Sequence, residues 1–465
     1  MKKICTGFSA ALLLSACATP APPAGQQTLV PEAAAQWRQP QAAGVPGTLS
    51  STVTRDWWRS FGSSELDGLL DAAQLQSYDL AAAVARVTQA QATATIAGAA
   101  LLPELSGSLG ATRNGRLGGD GNGTASGTTY QAGLTASYEL DFWGRTRALR
   151  DTARAGLRAA EFDRDTVHLT VTAGVASAWL QTVGLRERVA IADLSVASAQ
   201  RLLDVIESRA RAGAANPLEL AQQRGVLAAQ IRARAAIRQQ AEDSLTTLAV
   251  LLGRNPSLLQ LAGTDLNKLQ APQINAGLPA DLLLRRPDIA RAEAQLSGAD
   301  ANIIAARAAM LPRISLGGDI TAGSNRVSSV FDNPVYSLAA GLAAPIFNAG
   351  RLAAGRDLAL AQGEELLLNY RRAIVAAFGD VETALNAVAG IEAQHIAQVE
   401  VLRQAQRGFD LAESRYRAGA ETSLTLLDAQ RTLYAAQDAA AQLRTLRLQA
   451  AVSLYRALGG GWQLS

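Results

Sequence analysis

Residues 130 to 142 run Tyr-Gln-Ala-Gly-Leu-Thr-Ala-Ser-Tyr-Glu-Leu-Asp-Phe, and this stretch decides the fold. Apolar side chains occupy every second position, and Gln, Gly, Thr, Ser, Glu and Asp fall between them. Alternation with a period of two predicts a β-strand with one apolar and one polar face. Residues 313–322 and 335–347 alternate similarly, and polar loops at 114–129 and 325–334 join the strands into two pairs.

Four such strands per chain point to a shared transmembrane barrel. Strands of about ten residues with one apolar and one polar face are typical of a barrel with a wet interior. An open sheet edge cannot sit in hydrocarbon, so the sheet must close on itself. Because roughly eight strands are the smallest bacterial barrel, several chains must contribute, which predicts an obligate oligomer. A small soluble sheet packed on helices remains the alternative at this point.

Two long helical segments accompany the strands. Residues 144–212 and 350–418 contain no proline and alternate apolar and charged positions with a helical period. A helix of that length spans roughly 100 Å. Each segment turns back at an Arg-Ala-Gly-Ala sequence and returns through a second helix that ends near Gly253 or Gly459. Taken alone, these helices favour a soluble structural coiled coil.

The chain consists of two copies of one unit. Asp79 and Asp288 lie 209 residues apart, as do Pro103 and Pro312, where each first helix ends. Further on, the spacing becomes 206, and the loop that follows Pro103 absorbs the difference. The predicted division is a repeat at 76–255, a proline-punctuated linker at 256–284 and a second repeat at 285–465, each repeat being helix, strand pair and long helical hairpin.

The N-terminus predicts export and lipid attachment. Residues 1–16 combine two lysines with an apolar core and are typical of a secretory signal peptide. Leu14-Ser15-Ala16-Cys17 resembles a lipobox, which makes Cys17 the acylated first residue of an N-terminal segment at 17–75. An ordinary signal peptide cut nearby is the alternative. Ala18 in place of an aspartate favours sorting to the outer membrane.

Composition excludes several classes of function. Loss of residues 1–16 lowers the net charge from +3 to +1, so a nucleic-acid partner is not expected. Cys5 is discarded and Cys17 carries lipid, so no thiol remains for a disulfide, a metal or catalysis. The two histidines stand without ligand-spaced partners. We therefore expect no enzyme, no cofactor and no metal. After the signal peptide the sequence has no run of about 18 apolar residues, so a membrane-spanning helix is not expected either.

Taken together, the chain resembles the outer-membrane factors of tripartite exporters, the TolC-like channels, and within them the lipoprotein branch that serves drug-efflux pumps of the resistance-nodulation-division type. The resemblance covers essentially the whole mature chain. Its motifs, in order, are Cys17, Trp57-Trp58-Arg59-Ser60-Phe61 with Leu66 and Leu69, the Leu-Pro joints at Pro103 and Pro312, Leu140 to Arg145, Leu282 to Asp288, and Ala418 to Arg431.

The resemblance implies an α+β membrane channel: a trimeric 12-stranded β-barrel, four strands per chain, continued by a long antiparallel α-helical barrel in the periplasm. It implies a passive exit duct for drugs and small molecules, driven by an inner-membrane transporter through a periplasmic adaptor protein. A type I protein-secretion outlet is the alternative within this class. A membrane-anchored structural coiled coil without a pore is the alternative outside it.

Site residues follow from motif positions in the family. Asp428 and Arg431 match the periplasmic gate; the alternative is that they form an exposed i,i+3 ion pair on one helix. Thr425 stands where some members carry a second aspartate, which speaks against a doubled acidic ring. Tyr416 and Arg444 match positions that tie the helices shut. The hairpin turns, at Gly213, Ala214, Gly419 and Ala420, are the expected adaptor contacts, although a tight helix reversal also needs glycine there. Glu139, Asp141 and Asp319 are expected to keep one strand face wet; the alternative is that they face the lumen and shape its potential.

Overall fold

The computed structural model describes residues 31, 34–38, 54–115, 127–263, 266–270, 272 and 274–463. Cys17 and the predicted signal peptide lie outside these residues. The helices are α1 (Ser64–Gln76), α2 (Tyr78–Ala99), α3 (Arg145–Arg211), α4 (Pro217–Leu251), α5 (Leu282–Arg285), α6 (Pro287–Ala308), α7 (Arg351–Arg417) and α8 (Ser423–Ala457). The strands are β1 (Glu104–Asn114), β2 (Gly127–Leu140), β3 (Arg313–Ser324) and β4 (Val335–Ala343). Within the described residues each repeat thus contains a helix, a strand pair and a long hairpin.

The four strands form one antiparallel sheet in the order β1-β2-β3-β4. β2 of the first repeat pairs with β3 of the second, with Leu134 opposite Ile320 and Tyr138 opposite Leu316. The two repeats therefore share a sheet, and β1 and β4 are its unpaired edges. In a single chain this sheet is open, which is the condition that a hydrocarbon environment forbids.

The register sorts the side chains onto two different faces. Leu109 pairs with Ala132, Leu134 with Ile320, and Ile320 with Tyr336, so one face is apolar across all four strands. The large side chains on this face are exposed: Leu109 is 83% and Tyr336 75% accessible. The opposite face carries mainly Ser, Thr, Gly and Ala. An exposed apolar face and a polar reverse face confirm the strand pattern predicted from residues 130–142.

Two strands end earlier than predicted, each for a local reason. β2 stops at Leu140 because the carboxylate of Asp141 turns to accept from the backbone N–H groups of Thr146 and Arg147, both at 2.8 Å. This caps the first turn of α3, where a negative charge is favoured. β4 stops at Ala343, two residues before Pro345, which has no N–H for a ladder. The polar-face assignment of Asp141 was therefore wrong.

The long helices lie side by side in a fixed order. In the half towards the hairpin turns, α4 packs on α3, α3 on α8 and α8 on α7. In the half towards the sheet, α2 packs on α3, α3 on α6 and α6 on α7. α3 and α7, at 67 residues each, run through both halves over roughly 100 Å. α4, α2 and α7 are thus the edges of a helical layer that is open, as the sheet is.

The main hydrophobic core lies at mid-length, where α1 packs against α3 and α8. Trp57, Trp58 and Phe61 are buried there, with Trp57 stacked on Tyr455 at a ring separation of 4.8 Å. Glu65 joins α1 to the linker, since its carboxylate accepts from the backbone N–H groups of Ala262 (2.6 Å) and Gly263 (3.1 Å). The aromatic motif near the N-terminus is therefore the centre of the core.

Candidate functional site

Both helical hairpins reverse through a glycine in the left-handed region. Gly213 and Gly419 each have φ +74°, a conformation that other residues adopt only under strain. Asn216 caps α4 by accepting from the N–H of Glu219 at 2.9 Å, and Thr422 caps α8 by accepting from the N–H of Thr425 at 3.3 Å. The glycines of the predicted adaptor contacts thus have a structural reason for their identity, and the four turn residues Gly213, Ala214, Gly419 and Ala420 are exposed.

Tyr416 ties the two hairpins together just before the second turn. Its side chain is 2% accessible, and its hydroxyl donates to a carboxylate oxygen of Glu219 on α4 at 3.1 Å. Burial, reinforced by the Glu219 carboxylate, raises the pKa of Tyr416 and keeps the phenol protonated as the donor. The Arg209 guanidinium lies 4.5 Å from the ring centroid and donates to the Tyr416 carbonyl at 2.7 Å. We call Tyr416, Glu219 and Arg209 the latch.

Asp428 and Arg431 lie about one and two turns into α8 and are exposed. Neither takes part in an ion pair within the described part of the chain. They stand three residues apart on the same helix and are open to solvent in the single chain.

Thr425 has a local structural role in the first turn of α8. Its hydroxyl donates to a carboxylate oxygen of Glu421 at 3.0 Å. The N–H of Thr422 and then this hydroxyl lower the pKa of the half-buried Glu421 carboxyl. The position therefore serves the turn geometry, where an aspartate would repel Glu421.

Arg444 lies far from the turn. It is 21 residues into α8, roughly 30 Å from Ser423 along the helix, and forms an ion pair with Glu187 of α3. Next to it, Arg188 of α3 binds Asp438 with two hydrogen bonds of 2.7 and 3.1 Å. The structure therefore brings Tyr416 together with the turns and separates it from Arg444, which belongs to a mid-helix contact between α3 and α8.

Several ionic contacts were not predicted from the sequence. Glu139, at the base of β2, is held by the Arg145 guanidinium in contacts of 2.9 to 3.1 Å. Arg286, in the Leu-Arg-Arg-Pro-Asp motif, is buried and binds Asp288 at 2.7 and 3.0 Å and Asp380 at 3.0 Å. The two local pairs could have been predicted, because each places opposite charges a few residues apart close to the start of a helix. Nothing in the sequence marks Asp380 as a partner of Arg286.

The sheet has one apolar and one polar face, and both the sheet and the helical layer end in unpaired edges. These features define one subunit of an oligomeric membrane channel. A profile of the outer membrane efflux protein family matches residues 69–254 and 278–460, one match for each repeat. The chain belongs to this family. The resemblance noted from the motifs is therefore confirmed, and the protein is an outer-membrane efflux channel whose helices extend into the periplasm. Its family comprises transport channels.

Similar proteins agree with this assignment in sequence and in fold. The pyoverdine export outer membrane protein OpmQ of Pseudomonas aeruginosa is 50% identical over 463 residues, which cover 98% of this chain and 96% of OpmQ. The cation efflux system protein CusC of Escherichia coli is 32% identical over 90% of this chain and 91% of its own length. The open-state crystal structure of the MtrE outer membrane channel of Neisseria gonorrhoeae superposes with a TM-score of 0.82 at 30% identity, covering 92% of this chain and 96% of MtrE.

Proposed function

We propose that three copies of this chain close into a 12-stranded barrel in the outer membrane, continued by a tunnel of 12 helices in the periplasm. The observation that carries the proposal is that every layer of the chain ends in an unpaired edge. β1 and β4 bound the sheet, and α4 and α7 bound the helical layer below it. Joining β4 of one copy to β1 of the next closes the sheet, and the same rotation brings α7 of one copy beside α4 of the next.

The surface of α7 supports this closure. Among the described helices, α7 is the one long and apolar enough to cross a membrane by length and composition. At roughly 100 Å it is about three times longer than the hydrocarbon core, so crossing does not explain it. Exposed apolar residues recur along it, including Val375, Ile396, Val399 and Leu411. A neighbouring copy would cover them.

The polar face of the sheet suits a wide, passive conduit. Ser106, Gly133, Gly317 and Gly341 share that face with other small residues, so little side-chain volume would project into a closed barrel. Such a wall selects weakly by size, and the choice of substrate then rests with an inner-membrane transporter. Because the 50% identical relative is named for pyoverdine export, we propose a siderophore-like small molecule as the cargo.

Partners and anchoring complete the proposal. A resistance-nodulation-division transporter would supply the energy, and a periplasmic adaptor would dock at the exposed turns around Gly213 and Gly419. Acyl chains on Cys17 would hold the N-terminus of each copy in the outer membrane. The runner-up is a type I secretion outlet, which would use the same duct with a different inner-membrane engine.

Gating is assigned to the latch together with Asp428 and Arg431. Opening at the periplasmic end requires α7 and α8 to move away from α3 and α4, and the contact of Tyr416 with Glu219 resists this movement. Asp428 and Arg431 of three copies would narrow the closed end from inside.

Planar-bilayer recording of the purified trimer tests the duct and its gate. We expect small, infrequent currents from the wild type and a severalfold rise for Tyr416→Phe, which keeps the ring but removes a hydrogen bond to a charged group, worth about 1.5–3 kcal/mol. Asp428→Ala with Arg431→Ala should also raise the leak. Tyr336→Phe, on the exposed face of β4, is the matched control. Absence of heat-sensitive trimers and of current in all variants would overturn the channel, whereas unchanged current would overturn only the gate.

Cargo is tested separately in cells. A siderophore-producing strain that lacks its own outer-membrane exporter should regain secretion of the fluorescent siderophore when it expresses this chain with its neighbouring pump genes. Restored secretion of a large protein substrate, without siderophore, would favour the type I alternative.

A further inference from the structure

We propose that Asp319 gives the membrane barrel a preference for cations, separately from the gate at the periplasmic end. The inference rests on the proposed trimer, because a single chain has no lumen. It assigns a specificity-determining residue in the barrel wall, where the expectation from the sequence was a wet strand face and a role in the lumen potential was the alternative.

The register places Asp319 in the middle of the polar face. It lies opposite Thr135 of β2 on one side and Ser337 of β4 on the other. Six residues of β3 precede it and five follow it. The Ser337 hydroxyl donates to one of its carboxylate oxygens at 2.7 Å, which fixes the side chain along the wall. Since the opposite face is apolar and exposed to lipid in a closed barrel, this carboxylate would face the lumen.

The other charges near this level do not cancel it. Glu139 is already neutralised by Arg145 at the base of the sheet, and Arg313 stands at the first residue of β3, six positions below Asp319. Above Arg313, the polar face of the described strands carries no arginine or lysine. Glu104 lies on the same face, opposite Ser137, one two-residue step below Asp319. The uncompensated charge of the wall is therefore negative.

Three-fold closure turns one carboxylate into a ring. Three Asp319 side chains at one height would face a water-filled pore enclosed by hydrocarbon. Low-dielectric walls focus the field of such a ring into the lumen and raise the local concentration of counter-ions. Rings of Asp or Glu select cations in channels by this means. Asp319 is flanked on the polar face by the small neutral residues Thr135 and Ser337, so it supplies the charge at this height of the barrel wall.

The test measures reversal potential in a KCl gradient across a planar bilayer, using the trimer in the Tyr416→Phe background so that the gate is not limiting. The wild-type barrel should show a reversal potential displaced in the direction of cation preference. Asp319→Asn should lower the cation-to-anion permeability ratio by roughly twofold or more, Asp319→Asn with Glu104→Gln should lower it further, and Asp319→Lys should shift it towards anions. Asp319→Glu should retain the preference.

Asp332→Asn is the matched control, because Asp332 is an exposed carboxylate in the loop between β3 and β4. It removes the same charge outside the strands and should leave the ratio unchanged. Normal conductance with an unchanged ratio in Asp319→Asn would overturn the inference and leave the channel intact. A ratio that shifts with Asp428→Asn instead would place selectivity at the gate. No conductance in any variant would mean that the proposed channel itself fails.

Discussion

At the scale of single residues, the buried Arg286 guanidinium connects three long helices near the middle of the molecule. Its side chain is 10% accessible and binds Asp288, Asp380 and the carbonyl oxygen of Ala457, which joins α6, α7 and the end of α8. Asp288→Asn removes one of the two carboxylates that pair with the Arg286 guanidinium and leaves only Asp380. We expect a loss of about 3 kcal/mol in the free energy of unfolding, measured by thermal or urea denaturation of the purified trimer.

The same contact has a definite pH dependence. Burial tends to raise the pKa of Asp288, but the bonds from Arg286 outweigh it and the pKa is lowered from 3.8. A lowered folded-state pKa means that this stability is fully present above about pH 4 and is lost as the pH falls through the lower value. Asp79→Asn, at the equivalent position of the first repeat, is the control. Equal losses in both variants would contradict the assignment.

Only part of these contacts could be predicted from the sequence. The repeat spacing marked Asp288 as the counterpart of Asp79, and the structure places it in the first turn of α6, where it accepts from the Ile289 N–H at 3.1 Å. Asp380 lies 94 residues beyond Arg286, and nothing in local spacing marks the pair. The same holds for Tyr416 and Glu219, which lie 197 residues apart. Local spacing does not encode such long-range contacts.

At the scale of elements, Gly184 marks a close approach of α3 to α8. A β-carbon there would come within 2.9 Å of Cγ2 and 3.1 Å of Cβ of Thr445, which is closer than side chains tolerate. Gly184→Ala should therefore push the helices apart and cost about 1–3 kcal/mol, seen as a lower temperature for heat dissociation of the trimer. Thr445→Ala in the same molecule should restore part of the loss.

Gly156→Ala on the same helix is the matched substitution, because a β-carbon there meets no atom within 4 Å. It should leave stability unchanged or raise it by up to about 1 kcal/mol through helix propensity. If both alanine variants behaved alike, close approach at Gly184 would not be the cause.

The elements themselves were largely predictable. Alternation with a period of two located the strands, and proline-free amphipathic stretches located α3 and α7 to within one residue of each end. The periodicity could not predict which helix faces pack against each other. Gly184 is one of several glycines in α3, and it differs from the others because α8 packs against it through Thr445. The 256–284 linker, expected from its prolines, contains short helical turns and α5.

At the scale of the whole molecule, the open edges of sheet and helical layer follow from one property of the repeat. One repeat supplies two strands and one helical hairpin, and each of these layers has two unpaired edges. Joining two repeats within a chain pairs the inner edges and leaves the outer edge of each repeat unpaired. Closure by symmetry removes both edges at once. This is why the number of strands, counted from the sequence, already required an oligomer, whereas the contact of Tyr416 with Glu219 emerged only from the long-range fold.

The two faces of β4 provide a direct test of closure in the membrane. Leu338 lies on the apolar face and is 81% accessible in the single chain, while Ala339 lies on the polar face next to it. Leu338→Arg would put a charge into hydrocarbon near mid-depth and should cost about 2–4 kcal/mol, reducing heat-sensitive trimers in the outer-membrane fraction. Ala339→Arg would put the same side chain into the aqueous lumen, where trimers should form normally and only conductance should fall. If the two arginines affected assembly equally, or Ala339→Arg the more, the apolar face would not be the one that contacts lipid.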